Sequence, residues 1–134
     1  MNNESVLKVG LGAEVSELVT GKNTAVALGS GTLDVYATPA MVALMEKASL
    51  TAVAAALPEG CSTVGALINI KHSSASPLGA GIRAEAVLRE VDGKRLVFDV
   101  RAFDGDGPIG EGVHERFIIN NEKFMSKANA KSKQ

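Results

Sequence analysis

The segment from residue 38 to residue 60 reads TPAMVALMEKASLTAVAAALPEG, and it decides the fold. Strong helix formers dominate it from Ala40 to Leu57, and the Pro-Glu-Gly sequence at 58–60 is a stop signal. Thr38 is suited to cap the helix through its side-chain oxygen. Pro39 suits the first helical position, where its missing N–H leaves no hydrogen bond unmade. The segment therefore predicts one long helix.

Apolar residues fall on every side of this helix, at positions 41, 42, 44, 45, 48, 50 and 52–57. A helix that is apolar all round is expected to be surrounded by other parts of the protein. A membrane span needs roughly 20 mostly apolar residues with few charges. Polar and charged residues interrupt the run at Glu46, Lys47, Ser49 and Thr51. We therefore predict a helix that is buried in protein.

Strand-like alternation follows the helix. It occupies four stretches of 10 to 12 residues, at 63–72, 80–91, 94–104 and 108–119. Asp92-Gly93 is a strong hairpin signal, and Gly105 to Gly107 is a second turn. Strands of this length exceed the usual ~5–6 residues and can curl around a helix. The predicted fold is α+β, with an antiparallel β-sheet wrapped around a long central α-helix.

The remaining parts of the chain are less regular. Residues 6–20 are expected to form an edge strand or an extended arm. The stretch from Asn23 to Ser30 lies between glycines and is a candidate short strand. Residues 123–134 are polar and carry four lysines, which favours a flexible tail, although this charge could also attract an anionic ligand. We expect a single domain over residues 1–122.

The composition limits the classes of function. A formal net charge of −1 gives no reason to expect nucleic acid or an anionic membrane as a partner. With no tryptophan, one tyrosine and four phenylalanines, the chain has no aromatic platform for bases. The lone Cys61 cannot form an internal disulfide, and the first ten residues do not resemble a signal peptide. We expect a cytoplasmic protein.

Glu46 and His72 are the first candidates for chemistry. A carboxylate inside an apolar helix is costly to ionise unless it is paired, and burial raises its pKa, a common property of catalytic groups. The alternative is a solvent-lined edge or an ion pair. His72 ends the first strand after the helix, where a histidine can act as acid, base or donor, or have a structural role only.

Thr38 is eight residues before Glu46, close to two helical turns. The two side chains can therefore face one groove, about 12 Å apart along the helix axis. The Thr38 hydroxyl is either a structural cap or a group beside a helix N-terminus, where backbone N–H groups attract developing negative charge.

Gly65 lies inside a predicted strand, where glycine marks a bulge or a close approach of the backbone to a ligand. His114 is the only other histidine, 42 residues after His72. Two histidines so far apart, without cysteine partners, make a weak case for a metal site. The chain contains no phosphate-binding loop and no nucleophile elbow. We expect no metal ligands.

Together these residues resemble the fluoroacetyl-CoA thioesterase-like branch of the hot-dog superfamily, from about Val9 to Asn121. The resemblance rests on Tyr-Ala-Thr-Pro at 36–39 leading into a helix with Glu46, and on Ser-Thr-Val-Gly at 62–65. It continues in the stretch HSSASPLG that begins at His72, and in His-Glu-Arg at 114–116. It implies a hot-dog fold, a homodimer with active sites at the interface, an acyl-CoA substrate and no metal or redox cofactor.

The resemblance also assigns roles to single residues. Thr38, Glu46 and His72 match the family's catalytic threonine, glutamate and histidine. Gly65 matches a position that lines the acyl pocket, and Arg116 matches an arginine near the thioester and the pantetheine path.

The segment from Gly21 to Val35 departs from the family pattern because it contains no aromatic residue. Members specific for fluoroacetyl-CoA carry bulky aromatic residues there, as a lid over the acyl group. We therefore expect hydrolysis of a different short or small acyl thioester.

Two other functions remain possible for this sequence. A hot-dog dimer can bind an acyl-CoA or another small ligand without turning it over, although retention of all three candidate catalytic residue types argues against this. Hot-dog proteins also include hydratases, which typically pair an acid and a histidine in one short motif that is missing here. The choice between CoA and carrier-protein thioesters is open, as is the role of Glu46 as nucleophile or general base.

Overall fold

The computed structural model describes residues 7–132, so that residues 1–6 and 133–134 lie outside the described part. The first residue of the predicted arm and the last two of the predicted tail are among these. In chain order the elements are β1 (Gly12–Leu18), α1 (Ala25–Leu28), α2 (Thr38–Ala54), β2 (Cys61–His72), β3 (Gly81–Asp92), β4 (Arg95–Asp104), β5 (Gly107–Asn120) and α3 (Asn121–Asn129).

One antiparallel sheet contains all five strands, in the order β1-β3-β4-β5-β2. The strands β1 and β2 are its two edges, and α2 packs across the sheet, mainly against β1 and β3. Alternate residues of β3, from Ile82 to Leu88, are buried against the helix, because successive side chains of a strand point to opposite faces. The predicted α+β architecture of a sheet around one helix is confirmed.

The start of α2 differs from the prediction. Ala37 is the N-cap residue and makes no side-chain capping bond, while Thr38 is the first helical residue. The Thr38 hydroxyl instead contacts His72, 34 residues away. The prediction of Thr38 as a helix cap was therefore wrong, since a distant partner takes up its side chain.

Within one chain α2 is buried on one face only. Met41, Met45 and Ala48 are fully buried, whereas Leu50 on another face of the helix is 42% exposed. The helix is therefore not surrounded on every side within one chain. The single chain leaves an apolar flank of α2 open to solvent.

Two local predictions also need correction. The stretch from Asn23 to Ser30 is not a strand, because Thr24 accepts a hydrogen bond from the Ala27 N–H and starts the short helix α1. The hairpin between β3 and β4 is confirmed, but Asp92 still pairs with Arg95. The turn is therefore one residue later than predicted, and its glycine, Gly93, has a φ of 60°.

The ends of the described region flank this core. As predicted, residues 12–18 form an edge strand, paired with β3. The helix α3 begins where the side chain of Asn120 accepts a hydrogen bond from the Lys123 N–H, and all its residues are exposed. Flexibility of the tail at 123–134, and the domain limit at residue 122, stay predictions. Among residues 7–132, no helix has the length and apolar character needed to cross a membrane.

Candidate active site

The first turn of α2 meets the last residue of β2. The hydroxyl of Thr38 and Nδ1 of His72 are 2.7 Å apart, and the ring of Tyr36 lies edge-on to the imidazole. The other ring nitrogen of His72, Nε2, is buried and has no hydrogen-bond partner within residues 7–132. Burial lowers the pKa of His72, so the ring is neutral at neutral pH.

A cavity of about 270 Å³ lies over Thr38 and His72. Small side chains form most of its wall, at Ala25, Ser30, Ser73, Ser74 and Ala75. The segment from Gly21 to Val35, which lacks aromatic residues, therefore contributes small groups to the wall of this cavity.

A second group of residues surrounds Glu46, midway along α2. Its Oε2 atom is 3.9 Å from Nε2 of His114 and 3.9 Å from a guanidinium nitrogen of Arg116. A Cβ atom at residue 65 would lie only 2.8 Å from the same oxygen. The side chain of Glu46 is 39% exposed, which fits a partly solvated carboxylate beside a cation better than a buried acid.

Gly65 combines both features that a glycine in a strand can indicate. The pairing register between β2 and β5 shifts between Gly65 and Leu67, which is a β-bulge. The strand backbone also approaches the Glu46 carboxylate so closely that a side chain at residue 65 would displace it. The predicted bulge is confirmed, whereas the approach of this backbone to a ligand stays a prediction.

Arg116 is buried, and its surroundings fix its orientation. Its Nε donates to Oγ1 of Thr63 at 2.8 Å, and its Nη2 donates to the Thr63 carbonyl at 2.9 Å. Its Nη1 is 3.0 Å from Nε2 of His114. Burial lowers the pKa of Arg116 and the Glu46 carboxylate opposes this effect, so that the guanidinium remains a cation.

The predicted residues thus fall into two groups within one chain. Thr38 and His72 form one, while Glu46, Gly65 and Arg116 form the other. Among the residues that the structure describes, no hydrogen bond or ion pair joins the two groups. A single groove that holds both stays a prediction.

Sequence reasoning missed two members of the second group, Thr63 and His114. His114 was named only as a weak candidate metal ligand and as part of the His-Glu-Arg stretch, with no role in the site. Within the described part of the chain, no cluster of three His, Cys, Asp or Glu residues could hold a metal ion. The available signal was the spacing in the His-Glu-Arg stretch, since residues 114 and 116 lie on the same face of a strand.

The two histidines are expected to make stability depend on pH. Burial lowers the pKa of both His72 and His114 from the ordinary value of 6.5. Above that value, folded and unfolded chains are both neutral at these positions. As the pH falls through it, the unfolded chain binds protons first and is favoured, so the free energy of unfolding decreases. Denaturant titrations between about pH 7.5 and about pH 5.5 measure this slope.

The variant His114→Gln removes one of the two titrating groups and should reduce this slope. A slope equal to that of the parent would show that His114 does not contribute to it.

Comparison with known proteins identifies the family and the fold. The sequence pattern of the family described as fluoroacetyl-CoA-specific thioesterase matches residues 19–122. The chain is 42% identical over 99 residues to a fluoroacetyl-CoA thioesterase of Streptantibioticus cattleyicolor, covering 74% of this chain and 71% of that protein.

Solved structures show the same fold. A solved structure of a fluoroacetyl-CoA thioesterase superposes with a TM-score of 0.89 and 35% identity, covering 95% of this chain and 98% of that one. A hot-dog-like protein from Thermanaerovibrio acidaminovorans superposes with a TM-score of 0.86 over 99% of this chain and 100% of that one, at 22% identity. The second likeness concerns the fold alone. The hot-dog arrangement expected from the sequence is therefore confirmed.

Proposed function

Because the chain belongs to the fluoroacetyl-CoA-specific thioesterase family, we propose that it hydrolyses a short acyl-CoA to the free acid and CoA. The observation that carries this proposal is the position of the Glu46 carboxylate. It lies against the backbone of Gly65 and 3.9 Å from the Arg116 guanidinium. Hydrolysis needs a base or nucleophile next to groups that stabilise negative charge. The carboxylate can be the base or nucleophile, and the backbone at the bulge and the fixed cation can stabilise the charge.

Two copies of the chain are proposed to complete the site. The strand β2 is an edge of the sheet, and an unpaired edge can pair with an identical strand. Ile68 pairs with the buried His114 and so shares its face of the sheet, yet is 39% exposed. A second copy would cover it, together with the open flank of α2.

Antiparallel pairing of two β2 strands would also bring the two groups of residues together. If the two-fold axis passes at Ile68, the register shift after Gly65 places His72 of one copy opposite Thr63 of the other, because such a pair runs in opposite directions. Thr38 and His72 would then lie beside Glu46, Gly65 and Arg116 of the second copy. This supports a homodimer with active sites at its interface.

The proposed chemistry is acyl transfer to water. Glu46 either removes a proton from water as that water attacks the thioester carbon, or attacks the carbon itself to give a mixed anhydride that water then cleaves. In both routes a new C–O bond forms, the C–S bond breaks, and the departing thiolate takes up a proton. The mechanism needs no metal or redox cofactor, because side chains supply the base and the proton.

In the proposed mechanism, Thr38 stabilises the oxyanion and His72 assists the leaving group. The Thr38 hydroxyl and a backbone N–H near Gly65 would donate hydrogen bonds to the oxyanion that develops on the carbonyl oxygen. Nε2 of His72 has no hydrogen-bond partner among residues 7–132, so it is the ring atom left to orient water or to assist proton transfer to the thiolate.

The acyl group is proposed to be short and different from fluoroacetyl. The cavity beside Thr38 has about 270 Å³ of volume and is walled mainly by alanine and serine side chains. Arg116 is assigned to the thioester and the pantetheine path. We place the enzyme in the cytoplasm because its only cysteine cannot form an internal disulfide.

Release of free thiol tests the proposal. The substrates to be compared are short linear, branched, aromatic and fluorinated acyl-CoAs, an enoyl-CoA, and a carrier protein that bears the best acyl group. We expect release from a short acyl-CoA other than fluoroacetyl-CoA. Tight binding of an ester without release would instead support a ligand-binding dimer, and loss of the enoyl double bond would support a hydratase.

The variant Ile68→Asp is expected to dissociate the proposed dimer and abolish thiol release, because it buries a charge at the centre of the interface. Light scattering coupled to size-exclusion chromatography measures the mass. Val91→Asp, which places the same charge at another exposed apolar residue (37% exposed), is the matched control. An active monomer would contradict the composite site.

A further inference from the structure

The guanidinium of Arg116 lies near Glu46, and hydrogen bonds from all three of its nitrogen atoms fix its orientation. Thr63 on β2 accepts hydrogen bonds from Nε and Nη2. The third nitrogen, Nη1, bonds to His114 and is also the one that lies 3.9 Å from the Glu46 carboxylate. Because the guanidinium is a rigid planar fork, the contact at His114 completes the alignment of the atom that faces Glu46.

The imidazole of His114 is itself held rigidly. Its exposed fraction is 1%, its Nδ1 lies 2.8 Å from the carbonyl oxygen of Leu67, and the Phe98 ring packs against it at 6.4 Å between centroids. Leu67 directly follows the register shift of β2. The histidine therefore connects the bulge beside Gly65 to the guanidinium of Arg116.

The hydrogen bonds determine the tautomer of His114. An arginine can only donate, so Nε2 of the histidine must be the acceptor. The ring proton is then on Nδ1, where it is donated to the Leu67 carbonyl. A neutral ring with its proton on Nδ1 satisfies both contacts at once.

We propose that His114 is a positioning residue for the hydrolysis: by accepting a hydrogen bond at Nε2, it holds the Arg116 guanidinium so that Nη1 faces Glu46 beside Gly65. The inference rests on the proposed function for its catalytic consequence. Its structural part, the tautomer and the fixed guanidinium, does not depend on that function.

The charges around His114 favour this neutral acceptor. Arg116 on β5 and Glu46 on α2 face the ring, and Glu115 follows it on β5. The neighbouring strands contribute the Leu67 carbonyl and the Phe98 ring, neither of which titrates. Burial lowers the pKa of His114, and the positive charge of Arg116 lowers it further against the opposing effects of the Leu67 carbonyl and the two carboxylates.

Two amide substitutions separate the two contacts of the ring. In His114→Asn, the amide nitrogen takes the place of Nδ1 and can still donate to Leu67, but nothing replaces Nε2. In His114→Gln, the amide oxygen reaches the place of Nε2 and can accept from Arg116, while the bond to Leu67 is lost. The pair therefore tests whether the contact with Arg116, rather than filling of the core, is what matters.

We expect His114→Asn to lower kcat on the best acyl-CoA by about 10- to 100-fold, with a smaller change in KM. This is the size of effect expected from the loss of one charge-assisted hydrogen bond at the reacting centre. His114→Gln should stay within about threefold of the parent. Thermal unfolding of both variants controls for the fold. Equal losses in both variants, with kcat and KM affected alike, would overturn the proposal.

A double-mutant cycle provides an independent test. If His114 acts through Arg116, His114→Asn should cause no further loss in an Arg116→Ala background, because the two effects are coupled. Losses that multiply in the double variant would show that His114 acts by another route.

Nitrogen-15 NMR of the imidazoles separates this inference from the proposed function. We expect His114 of the ligand-free parent to carry its proton on Nδ1, with a slowly exchanging Nε–H on Arg116. A proton on Nε2 of His114 would overturn the positioning even in an active thioesterase. Absence of thiol release from every ester, with the expected tautomer, would overturn the proposed function and leave the structural part supported.

Discussion

Glu46→Gln is expected to fold normally and to lose about 10²–10⁴-fold in kcat, because an amide can neither take a proton from water nor attack a thioester. The substitution keeps the size of the side chain and its place on α2. Arg116 loses its nearby carboxylate but keeps its hydrogen bonds to Thr63 and His114, so the protein should remain folded. Thiol release under saturating acyl-CoA measures the loss, and circular dichroism checks the fold.

Glu59→Gln is the matched control, since Glu59 is an exposed carboxylate beyond the end of the same helix. It should turn over at the parent rate. Turnover by Glu46→Gln at the parent rate would remove Glu46 from both proposed roles, and binding of acyl-CoA without turnover by the parent would favour the ligand-binding alternative.

Gly65→Ala is expected to cost about 10²-fold in kcat/KM, a typical effect of misplacing a reacting group by about 1 Å. The new Cβ would lie 2.8 Å from Oε2 of Glu46, 3.3 Å from Cε1 of His114 and 3.4 Å from Nη1 of Arg116. The closest of these atoms is the end of a flexible side chain, so Glu46 can move away at little cost in stability. The variant therefore displaces the carboxylate while the fold is preserved.

Gly81→Ala tests whether the effect is specific, because a Cβ at that strand position meets no atom within 4 Å. Both variants are compared by thiol release and by thermal unfolding. If Gly65→Ala kept the activity of the parent, the carboxylate would not need its place against β2. If it unfolded the protein, Gly65 would be a structural requirement instead.

The strands and the long helix could be predicted because their signals are local. Alternation over residues 80–91 and 94–104, with a glycine between them, determines a hairpin without knowledge of the rest of the chain. The short helix α1 was mistaken for a strand because four helical residues are too few to show a helical period. The one local signal in the sequence was Thr24, a residue type that favours the N-cap position, and it was missed. Its side chain accepts a hydrogen bond from the Ala27 N–H.

The candidate site could be predicted as residue types but not as contacts. A helix cap was one of two roles that the sequence left open for Thr38. Its actual partner, His72, is 34 residues away, and only the folded course of β2 brings them together. The sequence likewise cannot show which faces of α2 a single chain covers. The apolar residues fall on every side of α2, whereas the single chain buries only part of the helix surface. In the proposed dimer, a second copy would cover the rest.

The short helix α1 has no buried residue, yet Ala25 at its start and Ser30 just beyond its end form part of the wall of the cavity above Thr38. Residues at these positions can change in size without removing any fully buried core side chain. Selection for a new substrate can therefore act on this segment while the sheet and the reacting groups stay constant. In evolutionary terms, the proposed function would place the choice of acyl group and the reaction itself on different parts of the fold, so that related enzymes could differ in substrate while sharing one chemistry.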